Sequence, residues 1–127
     1  MAKAMSKDSQ IILNMMRVQD SMNAVLGNVG TEHEVAKDQS KVDLLTFYIL
    51  KLFGLRKNFS GKTKKAVTFF NDFKGDSVAK SLNVCYPTIS NLEIVRMARS
   101  LADASARSAL TARYELCIKE SQNYEGE

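Results

Sequence analysis

The sequence predicts an all-α fold in a single domain, residues 1–127, that ends in a long helix. Apolar residues recur at spacings of three and four along several stretches, which is the period of a helix with one buried face. Proline occurs once, which suits long helices and disfavours a many-stranded sandwich. Hydrophobic residues make up 45% of the chain and charged residues 25%, as in globular domains that bury one core.

The first predicted element is an amphipathic helix over residues 8–27, after a loose terminus at 1–7. Asp8 or Ser9 caps its start, and Gly27 ends it. Its apolar face consists of Ile11, Ile12, Met15, Val18, Met22, Val25 and Leu26. Methionines at this spacing more often fill a core or a subunit contact than bind a cofactor.

The second predicted element is a helix over residues 31–53, with Thr31 and Glu34 forming a capping box. The stretch 45–53 is apolar nearly all round, so we expect it at the centre of the core. A β-strand over 44–50 is the alternative, and the helical register of the flanking residues favours the helix.

Residues 63–97 predict three consecutive helices: a support over 63–73, a second helix over 77–82 and a third over 86–97. The apolar spacing between Leu82 and Ile89 does not fit one continuous helix, but it fits two short helices joined by a sharp turn. Asn83 lies at that turn, and asparagine tolerates the left-handed backbone that such turns need.

The segment A-K-S-L-N-V-C-Y-P-T-I-S-N, within residues 75–97, resembles the helix-turn-helix unit of bacterial, phage and plasmid DNA-binding regulators. The matching apolar positions are Ala79, Leu82, Val84 and Ile89. Asn83 stands where the family usually has glycine, and Pro87 fits the first turn of a helix. A plain helical hairpin is the alternative interpretation.

The resemblance implies a homodimer that reads a palindrome in double-stranded DNA through paired recognition helices. The residues placed at base edges by the resemblance are Tyr86, Pro87, Ser90, Asn91 and Ile94. The residues placed at phosphates are Lys80 and Thr88, helped by Lys62, Lys64, Lys65 and Lys74. Ordinary polar surface is the alternative role for Tyr86 and Asn91.

Positive charge is concentrated in one part of the chain. Residues 51–80 carry eight basic and two acidic residues, a net charge of +6, whereas residues 1–50 and 81–127 each carry −1. Such a cluster is typical of a surface that binds a polyanion and releases its counterions. A solvated run of lysines is the alternative.

An alanine-rich helical arm is predicted over residues 98–121. Its small residues are Ala98, Ala102, Ala106, Ala109 and Ala112. Small side chains let another helix approach closely, so the arm either packs along the domain or pairs with a second subunit.

The sequence shows no constellation that predicts an enzyme, a metal site, a cofactor or a small-molecule substrate. Cys85 and Cys117 have no metal-ligand spacing and His33 is the only histidine, so we expect reduced thiols in a cytoplasmic protein. The S-G-K-T at 60–63 lacks the earlier glycine and the preceding strand of a phosphate-binding loop. No run is apolar over a length that spans a membrane.

Three functions remain open from the sequence. The first is a sequence-specific DNA-binding transcriptional regulator. The second is a small helical protein–protein interaction factor, of the phage or plasmid type, that binds a host component. The third is a DNA-binding or packaging protein without sequence preference, which acts through residues 51–80.

Overall fold

The structure is a computed structural model that describes residues 6–27, 32–58, 82 and 88–125. The described residues form five helices and no strand, so the predicted all-α fold is confirmed. The helices are α1 (Lys7–Leu26), α2 (Glu32–Ala36), α3 (Gln39–Arg56), α4 (Asn91–Ala102) and α5 (Ala104–Glu125). The predicted helices over 63–73 and 77–82 lie outside the described residues, apart from the buried Leu82.

Helix α1 is the element against which α3, α4 and α5 all pack. Its cap is Ser6, whose hydroxyl accepts from the Ser9 amide at 3.1 Å, so the helix begins slightly before the predicted start. Gly27 ends it in the left-handed region at φ 72°, where glycine carries no side-chain penalty, as predicted. The buried apolar face is Ile11, Ile12, Met15, Val18, Met22 and Leu26.

The predicted single helix over 31–53 is two helices, because Asp38 interrupts it. The Asp38 carboxylate accepts from the amides of Ser40 and Lys41 at 3.1 and 3.4 Å and starts α3 as its N-cap. An aspartate that bonds to the backbone ahead of it competes with helix continuation. The strand alternative over 44–50 is wrong, since those residues lie within α3.

Helix α3 buries one face and exposes the opposite one. The buried residues are Val42, Leu45, Thr46, Ile49, Leu52 and Phe53. Leu44 and Phe47, however, are 46% and 56% exposed. The expectation that residues 45–53 lie at the centre of the core is confirmed for Leu45, Ile49, Leu52 and Phe53 and is wrong for Phe47.

Helix α4 begins five residues later than the predicted recognition helix over 86–97. Ser90 has an extended backbone and its hydroxyl accepts from the Glu93 amide at 3.1 Å, which fixes the helix start at Asn91. The helix then continues to Ala102 and buries Ile94, Val95, Ala98, Leu101 and Ala102.

The predicted arm is broken at Asp103, between α4 and α5. Asp103 accepts from the Ala106 amide at 2.8 Å and so restarts the chain as α5. The last carbonyls of α4 are bonded by α1, with Gln19 donating to Leu101 and Asn23 donating to Ala102. These side chains replace the amides that a continuous helix would supply.

The alanines predicted to form one seam divide between two environments. Ala98, Ala102 and Ala106 are buried against the domain, whereas Ala109 and Ala112 are exposed. The outer face of α5 carries a shallow groove lined by Ala104, Arg107, Ser108, Thr111, Ala112 and Glu115. None of the described helices is long and apolar enough to traverse a lipid bilayer.

Candidate nucleic-acid interface

The start of α4 is the described part of the predicted base-reading surface. Tyr86 and Pro87 lie outside the described residues. Ser90, Asn91 and Ile94 are described, and each side chain has a definite place in the fold. Thr88, one of the predicted phosphate contacts, is exposed just before the helix.

The Ser90 hydroxyl is used as the N-cap of α4. It accepts from the Glu93 amide, and without it that amide would be one of the helix's unsatisfied donors. A phosphate or base that competed for the hydroxyl would have to replace this bond.

The Asn91 side chain fastens α4 to the junction of α2 and α3. Its amide nitrogen donates to the Ala36 carbonyl and to the Gln39 side-chain oxygen, both at 3.1 Å. Reading an adenine edge requires both the donor and the acceptor of an asparagine. In this geometry the donor is already bonded within the chain.

Ile94 is in the core, with no exposed surface. Its predicted place at a base edge is therefore wrong for this structure. The reason is the shifted helix start, since the buried face of α4 passes through Ile94, Ala98 and Leu101.

The outer face of α4 is largely charge-compensated by α2. Arg96 donates from Nε to Glu32 at 2.9 Å, and Arg99 Nε lies 3.8 Å from the other Glu32 oxygen. Because Asn91 contacts the end of α2 and Arg96 contacts its beginning, the two helices run in opposite directions. This arrangement leaves little free positive charge on α4.

Acidic residues outnumber basic ones around the start of α4. The exposed acidic residues there are Glu34, Asp38, Asp43 and Glu93, and the exposed lysines are Lys37 and Lys41. The Ser40 hydroxyl, 2.6 Å from Asp38, lowers the pKa of that carboxyl below its ordinary value of 3.8. Asp38 therefore stays ionised at neutral pH, and like charge repels a DNA phosphate.

The described residues of the basic stretch 51–80 lie at the other end of α3. Lys51 and Lys57 are exposed, and the Arg56 guanidinium lies 6.0 Å from the Phe53 ring centroid. Asn91 contacts Gln39 at the beginning of α3, and the 18-residue helix is about 27 Å long. These cations are thus not beside the start of α4, where the described lysines are Lys37 and Lys41.

The remaining predicted phosphate contacts are outside the described residues. They are Lys62, Lys64, Lys65, Lys74 and Lys80. Their placement relative to α4 stays a prediction.

Sequence reasoning missed the exposed side of α3. Ser40, Leu44, Phe47, Lys51 and Gly54 share this side and are all exposed. The sequence shows that these residues share one side of a helix. Because α3 carries apolar residues on both sides, the pattern did not indicate which side is buried.

No group of three or more metal-ligating side chains occurs among the described residues. Comparison of the chain with known protein families, curated proteins and solved structures gives no match.

Proposed function

We propose that the protein binds double-stranded DNA as a homodimer, chiefly through phosphate contacts made by residues 51–80. The observation that carries the proposal is the net charge of +6 on these 30 residues in a chain whose other parts are each at −1. Neutralising phosphates with lysine and arginine releases condensed counterions, and this drives binding whatever the base sequence.

The fuller form of the proposal is a sequence-specific transcriptional regulator, as the helix-turn-helix resemblance implies. Three of the predicted base-reading side chains, Ser90, Asn91 and Ile94, are hydrogen-bonded or buried within the chain. In this form of the proposal, the base contacts are therefore made by Tyr86 and Pro87. Selection of bound duplexes from a random pool tests it. Enrichment of an inverted repeat supports a regulator, whereas an unenriched pool of bound DNA supports packaging without sequence preference.

The direct test of DNA binding is fluorescence anisotropy with a labelled random-sequence duplex at several salt concentrations. Lys64→Glu with Lys65→Glu is expected to weaken binding to every sequence and to reduce the salt slope by about 2. Lys37→Glu with Lys41→Glu is the matched control, because it changes the net charge equally at two exposed lysines outside the basic stretch. No binding by the unaltered protein at low salt, or equal loss in both variants, contradicts the proposal.

A helical protein–protein interaction factor is the second candidate. Leu44 and Phe47 favour it, because they are one turn apart on α3 and both exposed, and contiguous apolar surface is typical of protein–protein contact sites. A protein that binds no DNA but loses binding to a host component on Phe47→Ser would have this function.

A further inference from the structure

One side of α3 has the pattern of a helix that packs against another helix. Ser40, Leu44, Phe47, Lys51 and Gly54, here called the α3 seam, are exposed and follow one another at spacings of four, three, four and three. Every side of a helix has these spacings, and this side is distinguished by two exposed large apolar residues, Leu44 and Phe47, and by a glycine. The Tyr48 ring packs edge-on against Phe47, with 5.4 Å between ring centroids, and supports the centre of the seam.

Gly54 has no role within the described chain that would explain a glycine there. It lies in the last turn of α3, and a Cβ added to it would meet nothing within 4 Å. Glycine in a helix costs up to about 1 kcal/mol relative to alanine, the largest cost being in the helix interior. The absence of a side chain on an exposed helix face is what a close approach by a second helix requires.

We propose that a second copy of this chain packs on the α3 seam, with the two α3 helices antiparallel. A two-fold axis near residue 49 places Leu44 of each copy opposite Gly54 of the other and Phe47 opposite Lys51. The leucine then fills the space that the missing side chain leaves. Lys51 already lies 5.8 Å from the Phe47 ring centroid in its own chain, and the opposite ring offers the ammonium a second aromatic face.

Charge complementarity selects a second copy and the antiparallel direction. Asp43 and Lys57 are exposed beside the seam at its two ends, so the same axis brings Asp43 of one copy close to Lys57 of the other, twice. A parallel pair would instead place Lys51 against Lys51 and Leu44 against Leu44. That arrangement opposes like charges and leaves the space at Gly54 empty.

This inference rests on the proposed function in one respect, that the protein is a homodimer. Its test contains no DNA. Analytical ultracentrifugation of the full chain is expected to show a dimer, and Phe47→Ser is expected to shift it to monomer. Leu116→Ser is the matched control, because Leu116 is an exposed leucine on α5, 41% accessible. A monomeric unaltered protein overturns the inference, and so does dissociation caused by Leu116→Ser but not by Phe47→Ser.

Charge exchange tests the register. Asp43→Lys and Lys57→Asp are each expected to raise the dimer dissociation constant about tenfold, since each change breaks two symmetric ion pairs and opposes like charges. The double variant is expected to restore the dissociation constant to within about threefold of the original, because each pair re-forms with its charges exchanged. A double variant as weak as the single variants contradicts the register.

Disulfide cross-linking tests the direction. In a background with Cys85→Ser and Cys117→Ser, oxidised mixtures of Leu44→Cys and Gly54→Cys chains are expected to form a covalent dimer. Neither variant is expected to do so alone. Cross-linking by Leu44→Cys chains alone indicates a parallel pair and overturns the antiparallel arrangement. Failure of the DNA-binding test leaves all these results unchanged, so the two proposals are separable.

Discussion

The Asn91 side-chain amide donates a 3.1 Å hydrogen bond to the Ala36 carbonyl, 55 residues earlier in the chain. The Ala36 carbonyl is at the end of α2 and has no amide of its own helix to bond. This contact joins the end of α2 to the beginning of α4, while Glu32 at the beginning of α2 pairs with Arg96 in the middle of α4. Asn91 therefore has a structural role in the described part of the chain, where it holds α4 against α2.

Asn91→Ala is expected to lower the free energy of unfolding by about 1–2 kcal/mol, because it leaves the part-buried Ala36 carbonyl without its donor. Urea unfolding followed by circular dichroism measures the change. Asn14→Ala on the exposed side of α1 is the matched control and is expected to change stability by less than about 0.5 kcal/mol. An unchanged midpoint for Asn91→Ala, with loss of binding to one DNA sequence only, would return Asn91 to the base-reading role.

Gln19 is the buried polar residue that holds the corner between α4 and α5. It has no exposed surface and donates to the Leu101 carbonyl, while its own oxygen has no donor among the described residues. Gln19→Ala is expected to cost about 2–4 kcal/mol, since it leaves both a cavity and an unpaired carbonyl. Gln19→Met keeps the volume and removes the undonated oxygen, so it is expected to cost about 1 kcal/mol. Denaturant unfolding measures the free energy of unfolding of both variants, provided that the m-values are equal. Equal losses of free energy in the two variants would show that the packing of the Gln19 side chain does not contribute.

Asp38 makes the start of α3 sensitive to acid. Its folded pKa lies below 3.8, mainly because of the Ser40 hydroxyl, so it contributes stability above the unfolded pKa. That contribution is lost as the pH falls through the folded pKa. The difference in unfolding free energy between the unaltered protein and Asp38→Ala is therefore expected to be constant above about pH 5 and to shrink below pH 4. A difference that stays constant down to pH 2 would contradict this role.

The sequence predicts the class and the buried face of α1, because periodic apolar spacing reports directly on which residues can share a core. It misplaced three helix boundaries for one common reason. At Asp38, Ser90 and Asp103, a short polar side chain bonds to an amide two or three residues ahead and fixes where a helix starts. Competition among several nearby capping residues is settled by tertiary packing, which local sequence does not contain.

The candidate site was less predictable than the fold because a motif places residues relative to one another and says little about their other neighbours. Asn91 bonds to Ala36, and Arg96 to Glu32, across 55 and 64 positions of sequence. Such long-range contacts decide whether a polar side chain on a predicted recognition helix is free to meet DNA.

Gly54→Ala separates the stability of the folded chain from the stability of the dimer. In a Phe47→Ser background, which is expected to be monomeric, the alanine is expected to raise the free energy of unfolding by about 0.5–1 kcal/mol, since its Cβ meets nothing within 4 Å. In the unaltered protein the same change is expected to weaken the dimer, because the Cβ occupies the space assigned to Leu44 of the second copy. Thermal melting of the monomeric pair and sedimentation of the dimeric pair measure the two effects. A Gly54→Ala protein that is more stable and equally dimeric would show that the two helices do not meet at this residue.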